Sequence, residues 1–150
     1  MKNEVIDIKE FKGNIWDYSS NPNVFICITT NGTIKINGAC VMGRGNALEA
    51  SVLYPGISKI LGSLIKSNGN IVQPILKNII AFPVKHNWYE NADISLIIKS
   101  ANVLANIANE NKDKIYILPR PGCGNGKLKW NDVKTYIIDI LPDNVIIMTY

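Results

Sequence analysis

Histidine is almost missing from this sequence: His86 is the single one in 150 residues. Cysteine is scarce too, with Cys27, Cys40 and Cys123 far apart and odd in number. No Cys-x-x-Cys pair occurs. Zinc sites need clustered Cys and His, and disulfide frameworks need dense, even Cys, so neither organises this chain. No metal and no cofactor is expected. No apolar run approaches the length of a membrane span, so no membrane partner is expected either. Met1 to Glu10 is polar and alternating, without the apolar stretch of a secretion signal. Cytoplasmic residence is the expectation. Excess charge is also small: 16 Lys and Arg against 12 Asp and Glu leave +4, with a pI near 8.9. That balance favours an anionic ligand or nucleic acid, but weakly.

What is present suits one folded domain spanning 1–150. The apolar share is 47% and the charged share 19%, enough for a core and a normal soluble surface. Strand-like and helix-like stretches alternate. EVIDIKEF reads as a first strand, and NVFICITT as a strand covered on both faces. TIKING reads as a short strand or a loop. GNALEASVLYPGISKILGSLIKS has helical spacing, broken in two by Pro55. NIIAFPVK is a strand ended by Pro83, and NADISLIIKSANVLANIANEN is a helix capped by Asp93 or Asn91. KIYILPRPG, WNDVKTYIIDIL and NVIIMTY follow as strand, helix and strand. The fold class is therefore α/β, with helices over a mixed, largely buried sheet. Ligands of such sheets sit beyond the carboxyl ends of the strands.

Four stretches fall where that rule places a site. In NGACVMGRGNALE, Asn37 to Glu49, Gly43 and Gly45 bracket Arg44 just before a helix starting near Asn46. Free N–H groups at a helix start attract phosphate, although a lone pair of glycines is more often an ordinary helix-entry loop. In LPRPGCGNGKLKW, Leu118 to Trp130, Gly122, Gly124 and Gly126 alternate after a strand. They form either an anion nest or a tight strand-to-helix turn. In AFPVKHNWYEN, Ala81 to Asn91, Lys85 is either a nucleophile or clamp with a pKa lowered by burial, or a solvated loop lysine. His86 beside it is an acid–base candidate or a surface residue. Trp88 either stacks on a base or packs the loop down, the commoner role. In FKGNIWD, Phe11 to Asp17, Gly13 ends the first strand and Asn14 either reads a base edge or caps a turn. Two glycine loops, each after a strand, favour a clamp for a phosphodiester or diphosphate.

In this order the four stretches resemble the macrodomain family of ADP-ribose-binding modules. The resemblance is to the branch holding the DNA ADP-ribosyl glycohydrolase antitoxins (DarG type) and terminal ADP-ribose protein glycohydrolase. It covers nearly the whole chain. The branch has Gly-Asp-hydrophobic after the first strand, and this chain has Gly13, Asn14 and Ile15. The branch has N-x-x-x-V-M-G-[KR]-G-x-A, and Asn37 to Ala47 reads NGACVMGRGNA. F-P-T-K followed by His and Trp becomes FPVKHNW over Phe82 to Trp88, and P-x-x-G-C-G-x-G-x-L-x-W becomes PRPGCGNGKLKW over Pro119 to Trp130.

The resemblance implies a three-layer α/β/α macrodomain. It puts Asn14 where an aspartate contacts the adenine amino group, and Ile15 beside it. It brings Asn37, with Asn31 as a rival, to the distal ribose. Val41, Met42, Gly43, Arg44 and Gly45 then line the diphosphate and ribose. Pro119, Gly122, Cys123, Gly124, Asn125, Gly126 and Lys127 form the second phosphate loop. Lys85 falls on the branch's catalytic lysine, which attacks or stabilises the anomeric carbon. Gly126 stands where protein-directed members carry an aspartate and DNA-directed members a glycine, and Val84 replaces the threonine before the lysine.

The expected ligand is ADP-ribose or an ADP-ribosylated substrate, with ADP-ribosylated DNA as the macromolecular candidate. Three functions compete: an ADP-ribosyl glycohydrolase using Lys85, an ADP-ribose 1″-phosphate phosphatase needing a base such as His86 or an ordered water, and a non-catalytic module that only sequesters the nucleotide. Oligomeric state is not encoded in any stretch.

Overall fold

The computed structural model describes residues 9–150. Residues 4–8 of the expected first strand lie outside the described residues. The strands are β1 (Lys9–Lys12), β2 (Val24–Thr30), β3 (Gln73–Leu76), β4 (Ile79–Pro83), β5 (Ile115–Leu118) and β6 (Val145–Thr149). The helices are α1 (Gly45–Leu53), α2 (Ile57–Asn68), α3 (Ile94–Glu110) and α4 (Trp130–Ile137), with a 3-10 turn at Ile15–Tyr18.

The strands form one six-stranded sheet in the order β1-β6-β5-β2-β4-β3. Pairings among β1, β6, β5, β2 and β4 are parallel, and only β3 runs antiparallel, against β4. Side chains alternate across a strand, so each central strand feeds two cores. Ile26 and Ile28 of β2, Ile79 and Ala81 of β4, and Ile117 of β5 join Ala47, Ala50, Ile57 and Leu61 of α1 and α2. Cys27, Ile80, Phe82, Tyr116 and Leu118 point the other way, onto Ile97, Ala101 and Leu104 of α3 and Val133 and Ile137 of α4. The result is the expected mixed sheet with helices on both faces.

TIKING contributes no named strand; Ile34 makes an isolated bridge with Cys40. Of the two cap candidates for α3 it is Asp93 that caps, its carboxylate accepting from the Ser95 N–H at 2.9 Å. Strand β3 is an addition to the sequence reading. Its Pro74 sits on the sheet edge, where a missing N–H costs no ladder bond.

Candidate functional site

Five parallel strands end at one side of the sheet, and there a cleft of about 950 Å³ opens. Gly13 and Ile15 reach it after β1, Asn31 after β2, Lys85 after β4, Pro119 after β5, and Tyr150 after β6. Both glycine loops line it: Met42 to Gly45 on one side, Gly122 and Gly124 to Lys127 on the other.

The first loop leads into α1. Gly45 has φ +60, and a helix starting there leaves its first N–H groups without intrahelical acceptors at the cleft. Asn46 fixes this start to the sheet. Its buried amide oxygen accepts from the Thr29 N–H at 3.0 Å, and its amide nitrogen donates to the Cys27 carbonyl at 3.0 Å. Asn31 holds the loop's other arm by donating to the Val41 carbonyl at 2.9 Å.

The second loop folds back on itself, with Leu128 N–H donating to the Gly122 carbonyl at 3.0 Å. Gly122 has φ +77, and a Cβ there would meet Ile97 at 2.7 Å and Ala92 at 2.9 Å. A Cβ on Gly126 would strike the Gly122 carbonyl. These two glycines serve the turn itself. Gly124 differs: a Cβ there meets nothing within 4 Å. Arg44 Nη1 donates to Asn125 Oδ1 at 3.4 Å, joining the two loops across the cleft.

Lys85 stands half-buried in the same lining, its Nζ donating to the Trp88 carbonyl at 3.2 Å. Its backbone is tied down: Asn70 Nδ2 donates to the Lys85 carbonyl at 2.9 Å, and Lys85 N–H donates to the Thr30 carbonyl at 3.4 Å. Burial lowers its pKa, and the charges of Arg44 and Lys127 lower it further. A lowered value enlarges the neutral, nucleophilic fraction. Lys35 and Arg120 bring further positive charge to the lining. Among the described residues none of Lys35, Arg44, Lys85 and Lys127 is in an ion pair.

Four expected residues do not line the cleft. Asn14 is turned to its own chain, its side-chain oxygen accepting from the Trp16 N–H at 3.0 Å as the cap of the 3-10 turn. Asn37 does the same for Ala39 N–H at 3.0 Å, which leaves Asn31 as the cleft-lining member of that pair. Cys123 packs against the α3–α4 core, and burial raises its thiol pKa. His86 points away to Asp93, Nε2 to Oδ2 at 2.7 Å. Trp88 does not pack into the core; it lines the cleft, 52% exposed, with Tyr89 edge-on to it.

Sequence reasoning overlooked Glu49, Arg120 and Tyr150, which also line the cleft. Glu49 carried a signal, since it lies one helical turn beyond Gly45. Tyr150 carried none, because only the sheet order brings β6 beside β1. Among the described residues no group of three or more His, Cys, Asp or Glu could hold a metal ion. No helix there is long and apolar enough to cross a membrane.

No protein-family model matches the chain. It is similar to the DNA ADP-ribosyl glycohydrolase of Mycobacterium tuberculosis (strain ATCC 25618 / H37Rv), 28% identical over 123 residues, covering 72% of this chain and 34% of that protein. The chain thus spans about a third of the length of the curated relatives it matches. Its structure is similar to the macrodomain of Mycobacterium tuberculosis DarG, with TM-score 0.76, 23% identity, and coverage of 95% of this chain and 97% of that one. It is also similar to Thermosipho africanus DarTG, solved in complex with ADP-ribose, with TM-score 0.69, 18% identity, and coverage of 95% of this chain and 42% of that one. The chain has the macrodomain fold, which it shares with these structures.

Proposed function

We propose that the cleft binds ADP-ribose and that Lys85 releases an ADP-ribosyl group from DNA. The observation that carries this reading is the position of Lys85: half-buried in the lining shared by both glycine loops, with a pKa lowered by burial, Arg44 and Lys127. The diphosphate would lie between the start of α1 and the second loop, held by backbone N–H groups and flanked by Arg44 and Lys127. Similarity to a protein named DNA ADP-ribosyl glycohydrolase and to a structure holding ADP-ribose supports the same reading.

The chemistry suits an amine. Neutral Nζ attacks C1″ of the ribose while the bond from C1″ to the base nitrogen breaks. The electron pair leaves with that nitrogen, which takes a proton from solvent. The attached nitrogen then gives up its two protons, one to solvent and one to O4″ as the C1″–O4″ bond breaks and the ring opens, leaving a C1″=Nζ Schiff base. Water adds to it, frees ADP-ribose and restores Lys85. His86 has no part in this route.

Calorimetric titration with ADP-ribose, followed by incubation with ADP-ribosylated thymidine DNA, tests the proposal. Wild type should bind and release sugar. Lys85→Ala should keep affinity within a fewfold and lose release by roughly a hundredfold or more. Binding without release in the wild type would leave a nucleotide-sequestering module, and no binding would overturn the reading.

A further inference from the structure

The cleft has two chemically different ends. Around the glycine loops it is cationic, with Arg44, Lys85 and Lys127. At the end formed by β1, β6 and α1 it is lined by Ile15, Ala47 and Met148, by the rim residue Tyr150, 72% exposed, and by the carboxylate of Glu49. An anion site gains nothing from a carboxylate in its own wall. This one is half-buried and firmly held: Trp16 Nε1 donates to Oε1 at 3.0 Å, and the Tyr150 hydroxyl lies 3.0 Å from Oε1 and 2.9 Å from Oε2.

Proton counting shows what remains free. A carboxylate offers about four acceptor positions. Trp16 brings one N–H and Tyr150 one O–H, and the phenol can give its proton to only one oxygen. About two positions are left for a ligand that donates. Burial and the Glu49 contact both raise the Tyr150 pKa, so the phenol stays a donor at neutral pH. Glu49 lies four residues beyond Gly45, on the same face of α1 and about 6 Å further along its axis. A ligand with phosphate at the helix start would extend its far end over Glu49. The Asn14 side-chain oxygen accepts from the Trp16 N–H, and Asn14 does not line the cleft.

We propose that Glu49 is a specificity-determining residue, its carboxylate accepting from the exocyclic amino group of a purine whose ring lies against Tyr150. This rests on the ADP-ribose reading above and assigns the base end of the same cleft. A purine with a carbonyl in place of the amine would turn an acceptor toward the carboxylate and be rejected.

The test is calorimetric titration of the full chain with ADP-ribose and with inosine diphosphate ribose, which carries that carbonyl. Wild type should prefer ADP-ribose by about tenfold or more, as expected for a charge-assisted hydrogen bond. Glu49→Gln, whose amide both donates and accepts, should lose most of the preference. Thermal unfolding of each variant separates this from a structural role: weakened folding with an unchanged preference would overturn the proposal. Glu49→Asp keeps the charge but withdraws it by one methylene, and should retain part of the preference if Glu49→Gln does not fold. Equal wild-type affinity for both nucleotides would overturn the inference and leave the ADP-ribose reading standing. Failure to bind either would overturn both.

Discussion

At the scale of single residues, the second glycine loop separates two reasons for using glycine. Gly122 needs its freedom, because φ +77 is a left-handed conformation and a Cβ would crowd Ile97 and Ala92. Gly122→Ala should therefore destabilise the fold by about 1–2 kcal/mol from the backbone alone, with the crowding in addition. Gly124 has neither problem, since a Cβ there meets nothing within 4 Å and its φ is not left-handed. Gly124→Ala should leave stability within about 0.5 kcal/mol of wild type. If the diphosphate lies over this loop, the added methyl stands in its way and ADP-ribose affinity should fall by tenfold or more. Urea unfolding and calorimetry on the two variants check the pair. Unchanged affinity in Gly124→Ala would show that the ligand does not approach there.

At the scale of elements, the start of α3 joins folding to the site. Asp93 caps the helix through the Ser95 N–H and holds His86 at 2.7 Å, on the loop that carries Lys85. Asp93→Ala should cost about 1 kcal/mol for the lost cap. The His86 contact first, then the Ser95 N–H, lower the Asp93 pKa below its usual 3.8. A lowered folded-state value gives stability that is present above the unfolded pKa and lost as pH falls through the folded one. The gap between wild type and Asp93→Ala should thus be full at pH 6 and shrink below about pH 4, which thermal unfolding across that range would measure. A gap constant down to pH 2 would mean that the charge of Asp93 contributes nothing.

The same elements show what could be read in advance. Helix α3 was legible because seventeen residues repeat apolar positions at helical spacing behind a capping residue. The break between α1 and α2 was legible from Pro55. Strand β3 was not, because four residues containing a proline carry too little pattern, and their place depends on the edge that β4 offers. In the cleft lining, the two glycine loops and Lys85 could be picked out from local sequence: Lys85 and the second loop each come just after a strand, and the first loop leads into α1. Asn14, Asn37 and Cys123 belong to the same motifs but lie outside the cleft lining: two cap their own turns and one packs onto the core. Glu49 and Tyr150 meet only because β6 pairs with β1, a tertiary fact with no local trace.

At the scale of the whole molecule, the net charge of +4 matters less than its distribution. Two positive groups share Glu10: Lys134 and Arg120 lie 2.6 Å and 3.6 Å from its carboxylate, and Arg120, at the edge of the cleft lining, also stacks over Trp130. At the cleft, Lys35, Arg44, Lys85 and Lys127 have no acid partner among the described residues, and Lys129 follows on the surface nearby. Under the proposed function, a free nucleotide would meet only the charges within the cleft, whereas one attached to a DNA strand would also pass those on the surface outside it. Each strand phosphate that is neutralised releases a counterion, with a slope of about 0.7 per contact for single strands. Three such contacts would weaken binding roughly twentyfold between 50 and 200 mM salt. The affinity for ADP-ribosylated DNA should therefore fall more steeply with salt than that for free ADP-ribose. Lys129→Gln, which lies outside the cleft lining, should flatten the DNA slope by up to one contact and leave the free-nucleotide slope unchanged. Parallel slopes for the two ligands would confine recognition to the ADP-ribose and remove the strand from the interface.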